Sequence, residues 1–398
     1  MIMAKYKLSQ NITITGFENY TDENIPQQLK LGNFVLQNKI KDKEYIINST
    51  IKYFIDKFLV PNTLDDIFKV IETEVKDNSN ELKETCFSFF NFLVDRNIIV
   101  PEDAIEKIIS SKAFYKVGDQ VDNFTIEKIL SESSYLDVYL VRDLNDGTNK
   151  VIKLINKTKI INEDAYISEL EEIEKEFGLL QKVKNIPFIC KGYVFNKNNC
   201  QAYIVSEYFE GRSLSRFLKN SPDLTKEDHL QLIKTILEAF SLLHQNKLVH
   251  GDIHSSNILL NENKELKIID FGLSHIMEFE NNEVPIFGGV NFYMPPERIN
   301  ISTHEKYLKQ PDLISDVYQI GLLIYMILYN KLPFKGFIWE ELAKNIKEES
   351  IIYEETSYLG YRIPASLINM VERCLDKIPE KRFKSASCIL EDFKKNIV

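Results

Sequence analysis

One stretch constrains this chain more than any other. It is the run Val249-His250-Gly251-Asp252-Ile253-His254-Ser255-Ser256-Asn257-Ile258-Leu259-Leu260, followed downstream by Ile268-Ile269-Asp270-Phe271-Gly272. Asp252 precedes Asn257 by five residues, and Asp270 follows Asn257 by thirteen. A carboxylate can orient a hydroxyl and take its proton. An amide oxygen and a second carboxylate suit Mg²⁺ held against phosphates. The apolar runs on either side read as short strands that fix both ends of the loop.

The chain around this segment falls into two unequal parts, with the change near residues 111–122. The first part reads as strand-poor and helix-rich. Residues 33–36 and 44–48 look like a small hairpin, and Ser49 or Thr50 can cap a helix through IKYFIDKFL that Pro61 stops. Thr63 then caps TLDDIFKVIETEV, with Asp65 and Asp66 suiting its positive start. A third helix through LKETCFSFFNFLVDRN leads to the strand-like NIIV and Pro101. From about residue 120 the pattern predicts strands in FTIEKIL, LDVYLVRDL and NKVIKLI, the last two joined by a turn at Asp146-Gly147. A helix over roughly 163–183 follows, then strands near CKGYVF and QAYIVSEYF. The remainder reads as helical through KEDHLQLIKTILEAFSLLHQN, SDVYQIGLLIYMILYN and segments near 339–348, 365–375 and 385–395. A sheet-rich lobe leading into a helical lobe suits a nucleotide clamped between them, so the fold class is α+β.

Charge and cysteine usage narrow the setting. Lys and Arg number 49 against 59 Asp and Glu, a net charge of −10 that argues against diffuse attraction to nucleic acid. Residues 1–117 carry 15 basic and 17 acidic side chains, so no DNA binding is expected there either. Cys86, Cys190, Cys200, Cys374 and Cys388 are scattered and form no zinc-type pair, which reads as reduced thiols in the cytoplasm. The opening MIMAKYKLSQ lacks the apolar core of a secretion signal. The longest apolar run, Ile320–Tyr329 with Gly321 inside it, is too short to span a bilayer, so no membrane association is expected.

Taken in order, these motifs resemble the eukaryotic-type protein kinase superfamily in a bacterial-like HGD variant, over about residues 120–398. The resemblance implies a bilobal kinase domain at 118–398, with 118–209 as N-lobe and 210–398 as C-lobe. Asp252 is then the catalytic base, and Asn257 and Asp270 are the Mg²⁺ ligands. Lys153 in Val151-Ile152-Lys153 becomes the lysine on the α- and β-phosphates of ATP, paired with Glu176. Val138, Val151 and Leu259 would sandwich the purine beside the backbone of Glu207 and Phe209, with Ser206 as gatekeeper. Tyr293-Met294-Pro295-Pro296-Glu297 resembles the end of an activation segment, with Glu297 expected to pair with Arg382. Asp316 matches the aspartate that braces the catalytic loop. The activation-segment match favours this architecture over the aminoglycoside phosphotransferases. The first 117 residues share their element order with a winged helix and with PqqD-like peptide-binding domains. A peptide or protein partner for this module stands open beside a plain helical extension.

Departures from the family pattern carry information. The phosphate loop reads Leu130-Ser131-Glu132-Ser133-Ser134-Tyr135-Leu136-Asp137-Val138, with no glycine at Ser131, Ser133 or Leu136. Side chains there crowd the phosphates, and Glu132 or Asp137 would repel them if turned inward, although the hydroxyls of Ser131, Ser133 and Ser134 can replace some amide donors. Gly251 stands where an arginine normally reads a phosphorylated loop, and Ser274 is the only Ser or Thr between Asp270 and Glu297. Activation without loop phosphorylation is expected. His254 replaces the lysine two residues past the base, where its imidazole can steady the γ-phosphate or bond within the loop, and Val290 replaces a threonine. The reading is therefore an ATP- and Mg²⁺-dependent enzyme that phosphorylates Ser/Thr hydroxyls of a protein or peptide substrate. A nucleotide-binding pseudokinase scaffold and a kinase for a ribosomally made precursor peptide remain as alternatives.

Overall fold

The computed structural model describes residues 4–16, 33–38, 43–75, 80–95, 98–104, 114–132, 136–156, 163–198, 201–221, 223–277, 291–299, 310–335 and 339–397. Two compact units emerge. One comprises 1–114, with which 131–136 and 156–163 also group; the other holds 115–130, 137–155 and 164–398.

In the first unit, β1 (Tyr6–Leu8) is followed by β2 (Ile12–Gly16), β3 (Asn33–Asn38) and β4 (Lys43–Asn48). Three helices follow, α1 (Ser49–Asp56), α2 (Leu64–Val75) and α3 (Asn80–Asp95), and then β5 (Ile99–Pro101). Strands β2, β3 and β4 form an antiparallel sheet, and β1 pairs with β5 through Tyr6↔Pro101 and Leu8↔Ile99. The hairpin and three helices match the sequence pattern, but β1 and β2 correct the strand-poor reading. The alternation of Ile12 and Ile14 with Thr13 and Thr15 is too short a run to stand out in the sequence. The Thr63 hydroxyl accepts from Asp66 N at 3.1 Å, capping α2. Apolar residues at helical spacing on α1 (Ile51, Phe54, Ile55) bury with Phe58, Phe90 and Leu93, and Tyr6 meets Phe90 edge-on at 4.9 Å.

The second unit begins with a six-stranded sheet in the order β10-β11-β9-β8-β7-β6. Its strands are β6 (Gln120–Val121), β7 (Phe124–Glu132), β8 (Leu136–Asp143), β9 (Asn149–Asn156), β10 (Gly192–Lys197) and β11 (Gln201–Glu207), with helix α4 (Glu163–Lys182) between β9 and β10. The turn between β8 and β9 is built as its residues suggest. Asp146 Oδ1 accepts from Thr148 N at 2.8 Å, and Gly147 takes a φ of 70°.

Beyond Phe209 the chain turns helical. In order come β12 (Arg212–Ser213), α5 (Leu214–Lys219), α6 (Lys226–Gln245), β13 (Leu248–Val249), β14 (Ile258–Leu260), β15 (Leu266–Ile268) and β16 (His275–Ile276). Then follow α7 (Leu313–Tyr329), α8 (Trp339–Glu348), α9 (Ala365–Cys374) and α10 (Ala386–Asn396). Reciprocal capping boxes start α6 (Thr225 with Asp228) and α7 (Asp312 with Ser315), each satisfying two otherwise orphaned N–H donors. Helix α7 is apolar all round and is buried from Ser315 to Tyr329. It forms the post around which α6, α9 and α10 are arranged, and it carries Asp316 and Gln319 to the site described below. Among the described residues no helix is long and apolar enough to cross a membrane.

Gly321 is what lets α9 approach α7. A Cβ there would lie 2.7 Å from Cys374 Cβ and 2.9 Å from Leu375 Cδ2. Helix propensity favours Gly321→Ala by up to about 1 kcal/mol, but the overpacking costs about 1–3 kcal/mol. We expect a net loss of stability in urea unfolding followed by circular dichroism; a variant as stable as wild type would show that the helices part freely.

Candidate active site

Lys153 enters the site from β9. Val151 and Lys153 lie on one, half-buried, face of that strand, whereas Ile152 and Leu154 lie on the fully buried face. The Lys153 ammonium sits 2.7 Å from Glu176 Oε2 on α4 and 3.0 Å from Asp270 Oδ1. Burial alone would lower the Lys153 pKa, but the Asp270 and Glu176 carboxylates outweigh it and hold the pKa raised. The Lys153 ammonium in turn holds the Asp270 carboxyl down at about 2. Glu176 is pushed up by burial against the opposing pull of Lys153, and its Oε1 accepts from Phe271 N at 3.3 Å. Asp270 has a φ of +65°, a left-handed conformation that a non-glycine residue adopts at a cost and that recurs at functional sites.

The loop between β13 and β14 carries Asp252, His254 and Asn257. Three anchors hold it. The fully buried Asp316 carboxylate accepts from His250 N at 2.8 Å and from Gly251 N at 2.9 Å. Gln319, three residues along α7, accepts from Ile253 N at 2.9 Å. The Asn257 side-chain amide donates to Asp252 O at 3.0 Å, which leaves its Oδ1 as the amide's acceptor atom. The loop is tied to the Asp270 segment by Ile269 N donating to Asn257 O at 3.0 Å and by the β14–β15 pairing Ile258↔Ile268. His250 packs 5.0 Å from the Phe271 ring, and burial keeps its pKa low and its imidazole neutral. Lys153, Glu176 and Asp270 thus form one cluster and Asp252, His254 and Asn257 another, joined through the backbone of Ile269.

His254 is buried, and its Nδ1 accepts from Ser256 N at 3.3 Å. The ring proton therefore sits on Nε2, which faces Asp252 Oδ2 at 3.5 Å. Of the residues expected around adenine, Val138, Val151 and Leu259 are half-buried on three different strands. Glu207 donates its backbone N–H to Lys191 O at 2.8 Å, so a nucleobase contact from this residue falls to its carbonyl. Phe209 lies in the segment between β11 and β12. Ser131 is exposed at the end of β7, and Ser133 lies outside the described residues. Val290 also lies outside them. Asp137 is turned into the buried face of β8, where it accepts from Tyr139 OH at 2.9 Å. By the strand's alternation it faces away from the side of β8 on which Val138 lies. Ser274 is buried, and its hydroxyl donates to His250 O at 2.8 Å.

Two participants, Gln319 and His244, belong to no motif read from the sequence. Tyr293 packs 5.9 Å from the His254 ring, and Gln319 donates to Tyr293 O at 3.3 Å, joining the catalytic loop to the segment before Glu297. The i, i+3 spacing of Asp316 and Gln319 on one helix is the signal that could have flagged Gln319. His244, which approaches Asp316 at 3.2 Å from 72 residues away, has no such signal. Glu297 and Arg382 form a bidentate pair at 2.7 and 2.8 Å. Mg²⁺ takes hard oxygen ligands and keeps a few protein contacts beside substrate phosphates, a donor set that one carboxylate and one amide suit. Among the described residues no group of three or more His, Cys, Asp or Glu could hold a metal unaided.

Replacing Lys153 tests this electrostatic arrangement. In Lys153→Met the buried Glu176 carboxyl keeps its upward push and loses the ammonium that opposed it. Its folded-state pKa then lies above its unfolded one, so the stability tied to its proton is present in acid and is lost as pH rises through that value. We expect a stability deficit of about 3 kcal/mol at pH 8, measured by thermal unfolding, that narrows at pH 5. An equal deficit at both pH values would refute the assignment.

Known proteins match this arrangement. The protein kinase domain profile covers residues 124–393. The Serine/threonine-protein kinase cds1 of Schizosaccharomyces pombe is 27% identical over 276 residues, 69% of this chain and 58% of the relative. The Carbon catabolite-derepressing protein kinase of Candida glabrata is 31% identical over 229 residues, 58% and 35% of the two chains. The Serine/threonine-protein kinase PLK4 of Drosophila sechellia is 24% identical over 288 residues, 72% and 35%. The chain thus spans between about a third and three-fifths of the length of these relatives. With the profile spanning more than half of its residues and the Lys153–Glu176–Asp270 cluster in place, the chain belongs to the protein kinase family.

Proposed function

We propose that this protein is an ATP- and Mg²⁺-dependent Ser/Thr protein kinase of the HGD type, with its kinase domain at 118–398. The observation that carries this reading is the Lys153 ammonium clamped at 2.7 and 3.0 Å between Glu176 and Asp270. That clamp presents a fixed positive charge on the face of β9 that Val151 shares. Asp252 orients the acceptor hydroxyl and accepts its proton, with the His254 Nε2–H beside its carboxylate. Lys153 neutralises charge on the α- and β-phosphates. Val138, Val151 and Leu259 flank the purine, and the Glu207 and Phe209 backbone meets its edge. Mg²⁺, when held by Asn257 and Asp270, supplies electrostatic neutralisation of the phosphates. Because such transfer rests on positioning and charge, Asp252→Asn should lower the phosphotransfer rate by about 10²-fold or more while Mg·ATP affinity stays within about threefold. Retained turnover in the variant would overturn the role of Asp252.

One feature favours a second reading, a nucleotide-binding scaffold: no glycine occurs from Leu130 to Val138. Wild-type protein that binds Mg·ATP but transfers no labelled phosphate to any acceptor would establish it.

For residues 1–117 we propose a module, winged-helix-like in element order, that captures a peptide or protein partner. A groove between α2 and α3 supports this reading, lined by Leu64, Phe68, Cys86 and the half-exposed Phe87 together with both charge signs, Lys69 and Lys83 against Asp65 and Glu72. A ribosomally made precursor peptide is one acceptor such a module would deliver. Scattered cysteines favour a cytoplasmic setting. Phe87→Lys should raise KM for a captured acceptor, identified by mass spectrometry of a phosphorylated lysate, at least about fivefold, with ATP hydrolysis unchanged; an unchanged KM would refute the groove.

A further inference from the structure

The backbone of Gly251, immediately before the proposed base, is gripped from two sides. Its N–H donates to Asp316 Oδ1 at 2.9 Å, and its carbonyl accepts from Arg298 Nη1 at 3.4 Å. Arg298 is only 1% exposed, although a buried guanidinium is costly unless its donors are used. It sits at the end of a 3₁₀ turn, Pro296–Arg298, whose middle residue Glu297 is locked to Arg382. The turn itself is thus a fixed base from which the side chain reaches the loop.

Gly251 cannot carry a side chain. Its φ is +79°, and a Cβ would lie 2.8 Å from Leu273 O and 3.0 Å from Pro311 Cγ. The arginine that the family pattern sets at this position has no room here. A guanidinium nonetheless reaches the same peptide, from the other end of the segment that starts at Asp270.

We propose that Arg298 is a positioning residue for phosphotransfer. By holding the Gly251 carbonyl opposite the Asp316 carboxylate, it fixes the rotation of the peptide that aims Asp252. It does so through a carbonyl, with no phosphate group in the contact. This rests on the kinase reading above and adds a residue that the motifs do not name. A misaimed base loses rate without losing nucleotide, because Lys153 and Asp270 are held by contacts that do not involve Arg298.

The test compares wild type, Arg298→Met and Arg298→Lys in one assay. Phosphotransfer kcat is divided by the number of Mg·ATP sites counted by calorimetry, so that unfolded protein does not register as lost rate. We expect the rate per site to fall at least tenfold in Arg298→Met, with KM for ATP within threefold, and to recover in part in Arg298→Lys. If Arg298→Met yields no folded protein, Arg298→Lys decides alone. A per-site rate at least threefold below wild type supports the proposal, and a smaller change overturns it. Equal per-site rates in active wild type and Arg298→Met overturn it while leaving the kinase reading intact. Wild type that binds Mg·ATP but transfers nothing overturns both.

Discussion

The arrangement depends first on a lysine held between two carboxylates. Lys153 would be costly to bury alone, and Glu176 would be costly to bury ionised; each makes the other's position affordable. Asp270 completes the cluster at 3.0 Å, in a strained left-handed backbone. Because Glu176 is on α4, Lys153 on β9 and Asp270 beyond β15, this one cluster ties a helix, a sheet and a loop into a single geometry. The burial of Phe271 beside His250 extends the tie to the loop that carries Asp252.

Helix α7 does the equivalent task for the helical part. Its apolar faces are fully spent on packing, so its two inward polar residues are rigidly placed. Asp316 takes two backbone N–H donors of the loop, and Gln319 takes a third while donating to Tyr293 O. Both residues satisfy loop groups that would otherwise be buried without partners. The loop that carries Asp252 is thus held on one side by a hydrophobic post and tied on another to an ion cluster.

The sequence made much of this legible because local physics and motif spacing agree. Period-2 runs mark β7, β8 and β9, and the cap residue Thr63 marks the start of α2. The HGD loop and the Asp-Phe-Gly segment stand out through residue types whose chemistry is narrow. What stayed hidden are contacts between residues far apart in the chain and unremarkable in type. His244 on Asp316 and Arg298 on Gly251 have no periodic signature. The charge of Asp137 looked threatening to phosphates, but the strand's alternation sends it to the buried face, where Tyr139 takes it. Ser274 read as the only Ser or Thr between Asp270 and Glu297, and its buried side chain is consumed in holding His250 O.

With Gly251 in place of an arginine, and Arg298 reaching the Gly251 carbonyl, the proposed site draws its positioning from contacts within the fold. Its central claim is that ammonium, amide and carboxylates converge on one Mg·nucleotide. Calorimetric titration of the full chain with ATP, with and without Mg²⁺, measures that convergence directly. One site per chain, weakened at least about tenfold when Mg²⁺ is chelated, is the predicted result. Absence of any adenine-nucleotide binding, or binding indifferent to Mg²⁺, would contradict it.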